Sequence, residues 1–231
     1  MAAPLWKGRE MKKKSFKCAI IWLLIFVIFT ALVKFIDTAD IGPEGSIVGF
    51  AKLNSFVRDL TNTSDLWYKI TQICGYMGLL IAACFALAGV MQLIKGKSLY
   101  KVDYRIAAMG VYYVIVLAFY AAFMFVVINF RPVIMEGEGL ESSYPSSHTM
   151  LALTVVYAFM IFCGYFKKSK YKLFLNVICY LFMAITVFGR ILSGVHWFTD
   201  IIGGVLLSVA IINTYEPLCS AAEALWAKHK A

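Results

Sequence analysis

The residues able to do chemistry in this chain are few, and they sit in short polar islands between long apolar runs. Two of its 3 histidines lie in Tyr144-Pro145-Ser146-Ser147-His148 and in Gly189-Arg190-Ile191-Leu192-Ser193-Gly194-Val195-His196-Trp197-Phe198-Thr199-Asp200. A third island, Asn129-Phe130-Arg131-Pro132, lies just upstream. Ionisable groups are expensive at membrane depth and usually functional there, so two imidazoles, two guanidinium groups and a carboxylate spread over three segments read as one assembled site. The ligand these groups suit in common is a phosphate. Arg131 and Arg190 match phosphate oxygens in planar, bidentate fashion and stay charged at any relevant pH, although arginines at span ends also snorkel to headgroups. Pro145, Ser146 and Ser147 mark a helix start, where free N–H groups and the positive dipole end receive anions. His148 then falls in the first turn, facing that anion or simply capping the helix. His196 and Asp200 are four residues apart and share a face if helical. The carboxylate can then fix the ring tautomer and leave the other nitrogen as a nucleophile; a self-satisfied interfacial pair has the same spacing.

The elements that must position these residues are membrane helices. A 231-residue chain that is 61% hydrophobic, with mean hydropathy +0.78, is no ordinary soluble domain. A spanning helix needs roughly 20 apolar residues. Six stretches approach that length, at about 17–36, 70–94, 106–129, 148–166, 173–192 and 200–215. The expected fold is all-α, a polytopic bundle of six transmembrane helices forming a single domain over 1–231, with a basic head at 1–16 and the chemistry within 124–200. The first stretch reads as an uncleaved anchor, because its apolar run is too long for a secretory signal and lacks a small-residue cleavage site. Ile47, Phe50, Leu53, Val57 and Leu60 recur at steps of three and four, which predicts an amphipathic interfacial helix between the first two spans. Trp67, Tyr68 and Trp197 suit an interfacial aromatic belt. In the loop 133–144, Glu136, Gly137, Glu138, Gly139 and Glu141 suggest either a lid over the islands or a solvated connector.

The net charge of +9 does not point to nucleic acid, because of where the charge lies. Basic residues crowd 7–17, 95–105, 167–172 and the carboxyl end, while the alternate segments hold only Lys34, Lys52, Arg58, Lys69, Arg131 and Arg190. Under the positive-inside rule this gives both termini inside and puts all three islands on the outer face. Cys18, Cys74, Cys84, Cys163, Cys179 and Cys219 show no paired spacing and read as small buried hydrophobes.

These islands resemble the signatures of the type 2 phosphatidic acid phosphatases, the lipid-phosphate phosphatase superfamily that includes glucose-6-phosphatase and vanadium haloperoxidases. The family's Pro-Ser-Gly-His block reads Pro145-Ser146-Ser147-His148 here. Its Ser-Arg, five residues, His, three residues, Asp block reads Gly189-Arg190 through His196 to Asp200. Its first block, a lysine seven residues before Arg-Pro, keeps Arg131-Pro132 but has Met124 in the lysine's place. The resemblance implies that His196 attacks phosphorus with Asp200 orienting it, and that His148 protonates the leaving oxygen and then activates water. It implies that Arg131, Arg190, Ser146 and Ser147 hold the phosphate oxygens without a metal or cofactor. The expected activity is hydrolysis of a membrane lipid phosphate or diphosphate, such as undecaprenyl diphosphate, phosphatidylglycerol phosphate or phosphatidate, on the outer face of the cell membrane. A phosphotransferase using the same phosphohistidine, and a non-catalytic lipid-phosphate binder or transporter, are the alternatives. Met124 leaves room for another cation, Lys34, Lys52 or Lys69, or for a changed substrate preference.

Overall fold

The computed structural model describes residues 5–135, 139–164 and 169–230. Glu136, Gly137 and Glu138 of the acidic loop, and Lys167 and Lys168 of one inner basic run, lie outside the described residues. Among the described residues seven α-helices carry the fold: α1 (Leu5–Phe35), α2 (Ala51–Thr61), α3 (Asp65–Gly96), α4 (Tyr104–Phe125), α5 (Ser147–Gly164), α6 (Ser169–Ser193) and α7 (Phe198–Lys230). All but α2 are long and apolar enough to cross a membrane, as the six-span expectation requires. Many of their large exposed residues are apolar, among them Ile28 on α1, Leu80 on α3, Leu117 on α4 and Phe188 on α6, as suits a lipid-facing surface.

Several helix ends differ from expectation, α1 beginning at Leu5 and α3 at Asp65, and two of the differences have a physical reason in the structure. Helix α4 stops at Phe125 instead of about 129, because Asn129–Arg131 runs extended and pairs with 141–143. Phe130 bridges Ser142 in antiparallel sense, flanked by Ser143 N–H donating to Asn129 O and Arg131 N–H to Glu141 O, both 2.9 Å. At the other end of the chain, α7 continues beyond 215 and runs straight through Pro217. A proline inside a helix leaves the carbonyl four residues back without its donor. Here that carbonyl belongs to Asn213, and the Ser15 hydroxyl of α1 donates to it at 2.9 Å.

Helix α7 is the axis of the bundle and packs against α1, α4 and α5. Its first turns are made for close approach. A Cβ at Gly203 would meet the Tyr144 ring at 2.5 Å, and one at Gly204 would meet the Ser146 carbonyl at 3.0 Å. The segment entering α5 therefore lies directly on the α7 backbone. From the other side α1 holds Tyr144, with Thr30 Oγ1 2.7 Å from its hydroxyl and Phe26 stacked on its ring.

The predicted amphipathic helix is α2. It buries Ala51 and Asn54 against the bundle and leaves Leu53, Phe56 and Leu60 exposed, an apolar face turned away from the protein. Trp197, expected in an interfacial belt, is instead buried, with its indole N–H donating to Phe130 O at 2.8 Å. A buried indole needs such an acceptor, and the extended Asn129–Arg131 segment supplies it.

Candidate active site

Three main-chain junctions gather the islands at one end of the bundle: the end of α4, the start of α5 and the turn from α6 into α7. That turn uses Gly194 at φ +68°, where a Cβ would strike Asn62 O at 2.6 Å. Ser64 N–H donates to Ser193 O at 3.3 Å, so the start of α3 braces the same turn. His196 and Asp200 do not share a helix, since α7 begins only at Phe198. Asp200 sits in its first turn and reaches back, its Oδ2 accepting from Trp197 N–H at 3.0 Å in the manner of a capping box. Its Oδ1 accepts from Asn129 Nδ2 at 2.9 Å, and its main-chain carbonyl from Ser146 N–H at 2.9 Å. One buried aspartate thus ties all three islands together.

His196 is 7% exposed, and its Nδ1 lies 3.7 Å from Asp200 Oδ2, an ion-pair approach longer than a hydrogen bond. Burial first, and then the charges of Arg190 and Arg131, hold its pKa well below the ordinary 6.5, opposed by the main chain at Ser143. A neutral imidazole beside two guanidinium groups has a lone pair to offer and a positive field in which to receive a phosphate.

Arg190, at the end of α6, is fully buried. Its Nη1 donates to Thr71 Oγ1 at 3.2 Å and its Nη2 to Gln72 Oε1 at 3.3 Å, and it stacks over Tyr68, all on α3. His148 leans on the same helix, since a Cβ at Gly75 would meet its Cδ2 at 2.8 Å. His148, His196, Arg190 and Arg131 are close enough for their charges to interact. Arg131 lines a cavity of about 230 Å³ together with His196, Ser147, Met124, Ser143 and Glu141. Ser146 is buried beside it and accepts from Thr149 Oγ1 at 3.1 Å. A second cavity, about 350 Å³ and mostly apolar, reaches from Ser147 and His148 to exposed Tyr76, Leu79 and Leu117, between α3 and α4.

Of the predicted site residues, Arg131, Ser147 and His196 line the 230 Å³ cavity and His148 lines the apolar one, while Arg190, Ser146 and Asp200 are buried behind them. None of the lysines suggested as stand-ins lines the 230 Å³ cavity: Lys34 Nζ donates to Val127 O at 3.3 Å, and Lys69 pairs with Asp65 at 2.6 Å. Sequence reasoning missed the supporting asparagines. Asn54 donates to Gly49 O at 2.8 Å and Thr199 Oγ1 at 2.9 Å, and accepts from Thr199 N–H at 3.1 Å, locking α2 to the start of α7. A buried polar residue on an otherwise amphipathic helix was the available signal.

Residues 107–218 match the PAP2 superfamily. No curated protein matches the chain. Among solved structures, the fold is similar to that of a transmembrane PAP2-type phosphatidylglycerolphosphate phosphatase from Bacillus subtilis, at TM-score 0.54 and 16% identity, over 91% of this chain and 96% of that one. That segment holds all three islands, so over the part of the chain that carries the candidate site the sequence is similar to the PAP2 superfamily.

Proposed function

We propose that this protein is a metal-independent phosphatase of membrane lipids, working at the outer face of the cell membrane through a phosphohistidine. The observation that carries the reading is the convergence of a neutral, buried His196 with His148, Arg131 and Arg190 where α4, α5 and the α6–α7 turn meet. In the first step His196 Nε2 forms a bond to phosphorus while the bond to the lipid oxygen breaks, and His148 gives that oxygen a proton. In the second, His148 takes a proton from water, whose oxygen attacks phosphorus and releases His196 and inorganic phosphate. Asp200 holds the imidazole and favours the charge it acquires. The two guanidinium groups, the Ser147 end of α5 and Ser146 beside it stabilise the equatorial oxygens, the main contribution a protein makes to phosphoryl transfer.

The apolar cleft between α3 and α4 favours a lipid over a soluble ester, because it ends at His148 and opens toward lipid-facing side chains. Outer sidedness rests on the distribution of basic residues. The test is phosphate release by purified protein from isoprenyl diphosphates, phosphatidylglycerol phosphate and phosphatidate. Rapid quenching of wild type should trap an acid-labile, base-stable phosphoryl group that His196→Ala does not form. Equal turnover by His196→Ala, or abolition of turnover by chelators, would overturn the proposal.

A further inference from the structure

Glu141 is a charged residue of the phosphate cavity that neither the family motifs nor the reaction above employs. The extended pairing sets it opposite Arg131, whose N–H donates to Glu141 O at 2.9 Å, and its Oε2 lies 2.9 Å from Arg131 Nε. The carboxylate is 42% exposed and the guanidinium 19%, so the acid stands at the mouth and the base within. On the same wall Met124 occupies the place of the motif lysine, and among the described residues no lysine lines the cavity. Relative to the family pattern, the site has lost a cation and keeps an anion on its guanidinium.

That arrangement discriminates by charge. A doubly negative phosphate monoester must approach Arg131 against the field of Glu141, at a separation where unscreened charges interact strongly. A phosphate with an ammonium group beside it meets the carboxylate with a complementary charge instead. We infer that Glu141 is a specificity-determining residue that selects against plain phosphate monoesters and favours lipids bearing a cationic group next to the phosphate. The inference rests on the lipid phosphatase reading and names the substrate class within it.

The test uses dodecyl phosphate and 2-aminododecyl phosphate with the full-length protein. Wild type should show kcat/KM about tenfold higher for the amine, the size expected of one partly solvated charge, with the preference shrinking as salt is raised. Glu141→Gln should erase the preference by lowering KM for the plain ester, with kcat within about twofold. Met124→Lys should lower the same KM. A raised KM for the plain ester in Glu141→Gln, as loss of an Arg131-orienting partner would give, or an unchanged preference, overturns the inference. Should wild type cleave neither ester, the phosphatase reading fails, and calorimetric binding of both probes to His196→Ala still decides the role of Glu141. Equal affinities there would refute it.

Discussion

The imidazole of His196 has no room to be charged in the resting protein. Its burial and the two guanidinium charges depress its pKa below the ordinary imidazole value of 6.5. In the unfolded chain the same histidine takes up a proton near pH 6.5, so the folded state binds fewer protons below that pH. Its contribution to stability is therefore complete above 6.5 and declines as pH falls. In ¹³C-histidine-labelled protein, the His196 signal should keep its neutral position at pH 5.5. A midpoint at or above 6.5 for His196 would contradict this electrostatic account. The proposed nucleophile and its carboxylate were legible in the sequence because Arg190, His196 and Asp200 lie on one short segment whose spacing is local. Their supports were not. Asn129 and Asn54 reach Asp200 and Thr199 across 71 and 145 residues of chain, a contact that only the folded bundle defines.

At the scale of elements, helices were readable and their ends were not. Apolar runs of spanning length foretold six helices, but the end of α4 depends on an antiparallel bridge between Phe130 and Ser142, and the continuation of α7 through Pro217 depends on a serine hydroxyl from α1. The close contacts between helices were equally hidden, since a glycine in an apolar run does not announce what it approaches. On α3, Gly75 and Gly78 make a matched pair for testing this. A Cβ at Gly75 would stand 2.8 Å from His148 Cδ2, whereas one at Gly78 would touch Leu151 at an ordinary 3.5 Å. Both substitutions to alanine raise helix propensity by up to about 1 kcal/mol, so neither should unfold α3. Gly75→Ala should displace His148, the proposed general acid, and lower kcat by about 10- to 100-fold, the cost of a misplacement of about 1 Å. Gly78→Ala should stay within about threefold of wild type. Equal kcat values for the two variants, with melting temperatures unchanged, would mean that α3 does not set the position of His148.

For the whole molecule, the decisive relation is between the polar cavity, lined by Arg131, Ser147 and His196, and the apolar cleft, which meets it at Ser147. By the distribution of basic residues the charge clusters and the islands lie on opposite sides of the membrane, so under the proposed outer sidedness the headgroup end of an outer-leaflet lipid comes level with the site. A lipid entering between α3 and α4 would lay its first methylenes along Leu79, Val116 and Leu117 and present its phosphate to His148 and His196 without leaving the bilayer. Such burial contributes roughly 0.8 kcal/mol per methylene, so KM should fall steeply with chain length until the cleft is full. Leu117→Trp fills the cleft from its exposed rim without touching the phosphate cavity. It should raise KM for long-chain lipid phosphates about tenfold or more, and leave kcat/KM for a short, soluble alkyl phosphate within about twofold. Assayed in mixed micelles at fixed surface dilution, equal losses on long and short substrates would show that the bulky side chain disturbs the catalytic groups. An effect confined to long chains is what lateral entry requires, because a substrate whose tail lies in that gap has its affinity set by residues so far from phosphorus.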